Sequence, residues 1–386
     1  MLETIKNALG VWWDMVLLLV GAGLPFVYDG LKQYWRSRNQ KLAIKSIGQS
    51  TKLNIDTIQS ADPEYKNSDL QLQLTDHSFY LAFPDHKIDQ INTQYENFNF
   101  HKVTYFSKQG TDNTDLSELF PSELREYVVP LIEKYRESIA DDFIHRRNGF
   151  HFNGNKLGVY QIREEFGVGQ NENNAIHIFL YHTDYYTHRI MKAVYKELVE
   201  KEIYFTKERS FDAQELRNLR PFLTSIGVNV ILIMDDGQSV VLSQRSHRSA
   251  HGENAEKYNS TAMEGITLHD RVGEKDLIHV SNVIDRAIEE EIGIQHTRNK
   301  KRIYDVFLEK NYFEIGITAS VELEESFEET IKHVYSKDRA LEIKQLVPVH
   351  YSQSELNKFV STNDFMQQGL YTLKMVAARK NIVIKN

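Results

Sequence analysis

Residues 286–294 read Arg286-Ala287-Ile288-Glu289-Glu290-Glu291-Ile292-Gly293-Ile294, and how they fold decides the reading of the chain. Taken as a helix, the segment puts Ile284, Ala287, Ile288 and Ile292 on one apolar stripe. Ser281 or Asn282 can cap its start, and Gly293 can adopt the left-handed turn at its end. Glu291 breaks the pattern, because it falls inside the stripe between Ala287 and Ile288 in angle. A carboxylate pointed at a core needs a cation, an Arg or hydrogen-bond donors, since unpaired burial is costly. Glu290 lies at the edge of the stripe, one turn after Arg286 and within its reach. By itself the stretch also reads as an ordinary acidic surface helix with a glycine cap.

The segment resembles the end of the Nudix box, whose pattern there is Arg-Glu-apolar-x-Glu-Glu-x-Gly-apolar. Arg286, Ile288, Glu290, Glu291, Gly293 and Ile294 match it. The resemblance implies a helix whose carboxylates hold Mg²⁺ against a diphosphate. It also has departures. Ala287 stands where the first Glu of the pattern belongs, Ile278 where the earlier Glu would fall, and Val272 where the leading Gly would fall. Gly265 is a candidate for that Gly, with an insertion after it.

The flanking sequence supports the match. Ile226–Met234 reads as a buried strand, Asp236-Gly237 as a hairpin turn and Val240–Arg245 as the return strand, like the opening hairpin of a Nudix domain. Strands over 303–308, 313–321 and 343–349 follow, then helices over 354–360 and 364–379. This order fits the α/β/α sandwich of the Nudix fold over residues 215–386, with the resemblance itself covering roughly 215–380.

The chain's 386 residues have room for two folded parts and an appendage, and its 41% hydrophobic content suits sizeable cores. A net charge of −8 argues against bulk nucleic-acid binding, while leaving room for a local anion pocket. The absence of cysteine removes disulfides and thiolate zinc sites. No Walker loop, His-Glu-x-x-His or nucleophile elbow occurs.

After a short extracytoplasmic start (1–10), residues 11–28 are almost uninterruptedly apolar and read as one transmembrane helix, long enough for most of a ~30 Å hydrocarbon core. Trp12 and Trp13 mark one end, and Tyr28, Tyr34 and Trp35 the other. Lys32, Arg36, Arg38, Lys41 and Lys45 follow, so the positive-inside rule puts the bulk of the chain in the cytoplasm, on a cell inner membrane. A cleaved signal peptide and a soluble core helix are the rival readings. Asp14 within the run is a candidate membrane residue. Gly21, Ala22 and Gly23 offer a close-packing surface for self-association.

Residues 29–75 read as a basic flank and linker, and 76–214 as an α+β middle region with a helix over 121–142 interrupted near Pro130. His177, His182 and His188 cluster with Asp184, Tyr185 and Tyr186, without the spacing of a metal site. Arg220, Arg245 and Arg248 are the candidate phosphate donors, with His247 and the Lys300-Lys301-Arg302 run beside them.

A single span, a middle module and a degenerate Nudix domain together resemble the membrane-anchored Nudix effectors of bacterial anti-phage (CBASS) systems. That resemblance implies a homo-oligomeric effector that binds a cyclic oligonucleotide, contacts membrane lipid and damages the inner membrane, killing the infected cell. Arg286, Glu290, Glu291 and Gly293 are the positions that carry over. If the box is active, Glu290 and Glu291 hold Mg²⁺ and Glu264 adds an oxygen. The chain is then a tethered Nudix hydrolase of a nucleoside diphosphate derivative.

Overall fold

The computed structural model describes residues 32–65, 69–94, 98–101, 103–106, 115–146, 152–165, 175–206, 208–247, 254–273, 276–295, 300–331 and 342–385. They form two sheets. The larger runs in the order β1 (Ile55–Tyr65), β11 (Lys300–Glu309), β12 (Glu314–Glu322), β6 (Ile226–Met234), β7 (Ser239–Arg245) and β13 (Ile343–His350). Two short strands attach to it, β8 (Tyr258–Asn259) on β7 and β9 (Ala262–Gly265) on β6. The smaller runs β10 (Leu277–Ile278), β2 (Leu70–Tyr80), β5 (Ala175–Asp184) and β4 (Asn155–Glu165), with β3 (Thr104–Tyr105) on β2.

β6 is the axis of the larger sheet. It pairs parallel with β12, from Ile226 beside Ile315 to Ile233 beside Glu322, and antiparallel with β7 and β9. Its largely apolar sequence, interrupted by Asn229, follows from burial on both faces. Val228, Val230 and Leu232 point into the core that holds Val283 and Ile284 of helix α6 (Val280–Ala287). Ile231 and Ile233 point to the opposite face, against Leu373, Val376 and Ala377 of the helix Gln367–Arg379. Helices therefore cover both faces of this sheet. The β6–β7 turn runs through left-handed backbone at Asp235, Asp236 and Gly237, which a tight hairpin requires.

The two sheets interlock. β1 lies in the stretch read from sequence as linker, yet it joins the larger sheet beside β11. β10 comes from the Nudix-like half and pairs with β2 of the smaller sheet. A buried ion pair holds the C-terminal helix to β1 and β11. Arg379 Nη2 lies 2.7 Å from Asp305 Oδ1, and it also donates to Ser60 Oγ at 3.0 Å and Ala61 O at 3.1 Å. Helices α3 (Ser122–Ile144) and α4 (Tyr185–Glu200) pack on the smaller sheet. α3 continues through Pro130 rather than breaking there. Asp184 caps α4 through the Thr187 N–H, and His188 bonds Thr224, so two members of the expected histidine cluster serve the scaffold.

Among the described residues no helix is long and apolar enough to cross a membrane. This corrects the expected fold class and location. The fold is mixed α/β, with no spanning helix among the described residues, and a single-pass inner-membrane protein is not supported. The physical reason is charge. Helix 32–48 carries Lys32, Arg36, Arg38, Lys41 and Lys45, and α3, the longest described element, carries Glu, Arg, Lys and Asp along its length. The run 11–28, with Asp14, lies outside the described residues.

Candidate functional site

The box-like helix begins as α6 and ends in a π turn over Ile288–Ile292, closed by Gly293 at φ 89° with its N–H on Ile288 O. π turns of this kind re-aim side chains. Here Glu291 is buried at 4% exposure, while Glu290 stays exposed. Glu291 Oε1 accepts the Met263 N–H at 2.9 Å. Burial raises its carboxyl well above the usual range, and the charges of Glu342 and Glu264 push the same way.

Arg286 organises the site. Its Nε and Nη2 grip Asp270 at 2.9 and 3.0 Å, Nη2 donates to Gly265 O at 2.6 Å, and Nη1 lies 2.9 Å from Glu264 and 3.1 Å from Glu290. Burial opposes its charge, but the bonds to Asp270 and Glu264 outweigh this and raise its pKa. Asp270 is itself buried and accepts from Thr267 N and Oγ1. Ile278, where the pattern's earlier Glu would fall, lies buried in β10 against Leu72. The capping role of Asp270 was available in Thr267-Leu268-His269-Asp270, a capping box three residues long in reach, right after Gly265.

A divalent cation here would need several ionised carboxylate oxygens converging with lone pairs to spare. Ala287 contributes none and is fully buried. Glu264 and Glu290 share Arg286 Nη1, and Glu291 favours its neutral form. Among the described residues no group of three or more His, Asp or Glu is placed to hold a metal. The side chains present therefore do not fit the expected Mg²⁺ site.

The three predicted phosphate donors do not come together. Arg245 pairs with Glu342, Nη1 to Oε2 at 2.9 Å. Arg248 lies outside the described residues. Arg220 packs on the rings of Phe106 and Tyr160, 4.9 and 4.8 Å from their centroids.

A cleft at the start of β12, reaching α4, gathers other cations. One part, of about 270 Å³, is lined by Lys156, His188, Lys192, Glu264, Tyr312 and Glu314. It shares Lys192, Asn254, Glu309 and Tyr312 with a larger part of about 730 Å³, where Arg189, Lys196, Lys257 and Lys310 join the lining. Asp142, Glu200 and Glu309 are the acids of the larger part. Arg189, Lys192 and Lys196 recur at helical spacing along α4, a stripe that reading the sequence for regional organisation passed over. Lys192 lies 3.4 Å from Glu314 and 4.1 Å from the centre of the Tyr312 ring. Lys156 is held below its usual pKa by loss of hydration. The larger volume falls in the range of small-molecule sites, and the lining combines Lys and Arg side chains with the aromatic rings of Tyr135, Tyr185, Tyr312 and Phe365.

No family model matches the chain, and no curated protein does. Similar solved structures include the protein DR0079 of Deinococcus radiodurans, 9% identical, with 41% of this chain and 83% of that one covered at TM-score 0.29. A bifunctional NMN adenylyltransferase/ADP-ribose pyrophosphatase of Francisella tularensis, solved with AMP and a manganese ion, is 12% identical (39% and 40% covered, TM-score 0.27). The Nudix domain of Shewanella oneidensis NrtR, solved with ADP-ribose, is 10% identical (41% and 88% covered, TM-score 0.26). Nudix proteins thus recur among the structural neighbours. The Nudix-like reading rests on the chain's own strand order and box helix.

Proposed function

We propose that this chain is a degenerate Nudix-like protein that binds a cyclic oligonucleotide in the α4 cleft and does not hydrolyse diphosphates. The observation that carries the reading is the state of Arg286. One guanidinium hydrogen-bonds Glu264, Asp270 and Glu290, three of the acids around the box helix, and so occupies part of their lone-pair capacity. Carboxylates spent on a guanidinium are unavailable for polarising a diphosphate or activating water. Binding needs different parts, namely cations for phosphodiester oxygens and rings for bases. The cleft has both. On this reading Lys192 and Lys196 take phosphate charge, and Tyr312 stacks on a base. The ligand shifts self-association only through its differential affinity for the assembled form. A signalling role in anti-phage defence is the biological setting this reading implies.

The test is thermal melting of the purified chain against a panel of cyclic di- and trinucleotides, with and without Mg²⁺, followed by recovery of the ligand. Tight binding raises the midpoint by mass action. A shift from one cyclic nucleotide, recovered intact and weakened about tenfold in Lys192→Gln/Lys196→Gln, supports the proposal. Mg²⁺-dependent cleavage of a linear dinucleotide, with no shift from cyclic ones, overturns it in favour of a hydrolase.

A further inference from the structure

Arg220, singled out from sequence, belongs to a second site. It lines a pocket of about 500 Å³ together with Arg125, Arg217, Glu118, Gln214 and Asn218. This pocket shares no lining residue with the α4 cleft. We propose that it binds a small phosphate-bearing anion.

Three arginines and one carboxylate, Glu118, line this pocket, an excess of positive charge that suits a dianion. Two of the three are fixed in place. Arg125 donates Nε to Phe120 O at 3.0 Å, which leaves its terminal nitrogens for another acceptor. Arg220 rests on the Phe106 and Tyr160 rings, and its Nε is buried with no hydrogen-bond partner. A buried donor without an acceptor is costly, and an oxyanion in the pocket relieves that cost. Among the described residues no ion pair engages Arg217 or Arg220. The pocket opens at the start of α3, which places the positive end of that helix dipole beside the anion. Planar guanidinium forks match phosphate oxygens two at a time, which a lysine cluster does not do.

Equilibrium dialysis of the purified chain with radiolabelled inorganic phosphate and pyrophosphate, at constant ionic strength, tests the site. Saturable binding is expected, with the dissociation constant raised about tenfold by Arg217→Gln and unchanged by Lys192→Gln/Lys196→Gln. Arg217 is exposed, so its replacement should leave the thermal midpoint unaltered. Non-saturable binding, or binding indifferent to both Arg217→Gln and Arg125→Gln, overturns the proposal. Binding lost only in the Lys192/Lys196 variant also overturns it, because the anion then occupies the cleft. The cyclic-nucleotide reading can fail while this site stands.

Discussion

Arg286 meets Asp270 edge to edge, Nε on Oδ1 at 2.9 Å and Nη2 on Oδ2 at 3.0 Å, and this two-point contact ties the box helix to the turn after β9. Asp270 has almost no solvent exposure, so it relies on Arg286 and Thr267 for its charge balance.

Removing that cation leaves a buried carboxylate uncompensated. Arg286→Met is expected to cost about 3–5 kcal/mol of folding free energy. Arg286→Lys keeps the charge but loses the planar fork and should fall between Met and wild type. Urea unfolding of the three proteins checks the order. Equal midpoints would mean that the network contributes nothing.

Glu291→Gln is expected to be neutral or stabilising at pH 8. The folded state raises the Glu291 pKa, so it keeps a proton that the unfolded chain releases at an ordinary carboxyl pKa. Its effect is therefore absent below that ordinary value, and stability falls as pH rises above it. Glutamine still accepts the Met263 N–H through its amide oxygen and has no charge to bury. The variant should show a flatter stability–pH curve than wild type between pH 5 and pH 8. A steeper curve would contradict a neutral Glu291.

Ala287→Glu restores the missing letter of the box pattern, yet it should not create a hydrolase. Ala287 has no exposure and packs in the same core as Val283 and Ile284. A carboxylate there lacks solvent and partner, and the expected cost is several kcal/mol. Thermal melting should drop sharply, with no Mg²⁺-dependent release of phosphate from ADP-ribose. A stable variant with turnover would show that the helix can turn this position outward.

Much of the larger sheet was legible because burial on both faces writes itself as continuous apolar sequence. Ile226–Met234, the Asp236-Gly237 turn and the Gly293 cap all fall where the residues indicate. The inward direction of Glu291 was also readable from helical angle. Asp270 was not legible as a site residue because nothing in the pattern marks it, and only the three-dimensional reach of Arg286 brings it to the box helix. β1 and the first half of β2, up to residue 75, fall in the stretch that reads as linker because of its polar letters. Leu70, Leu72 and Leu74 alternate with Gln71 and Gln73, the period of a half-buried strand, and that signal was present in the sequence. The cleft was not legible, since it needs α4 brought to the β11–β12 turn across more than a hundred residues of sequence.

Glu309 is expected to make the cleft sensitive to pH. It closes β11 with its carboxylate accepting from Asn311 N at 3.1 Å and Tyr312 N at 2.8 Å, and it lines both parts of the cleft. Burial pushes its pKa up to about 7, against the pull of those donors and with Glu314 adding to the rise. A raised folded-state pKa means that the folded protein holds a proton which the unfolded chain loses near 4.5. Stability from this group is complete below 4.5 and declines as pH climbs through about 7, by roughly 3 kcal/mol at most. Ionisation also places a negative charge beside Lys192 and Lys310 of the same lining, so an anionic ligand should bind several-fold more weakly at pH 8 than at pH 6. Carboxyl ¹³C NMR should find one glutamate titrating near 7, and Glu309→Gln should remove both that signal and the pH dependence of binding. If every glutamate titrates in the ordinary carboxyl range, Glu309 is hydrated in solution and the cleft has no such control.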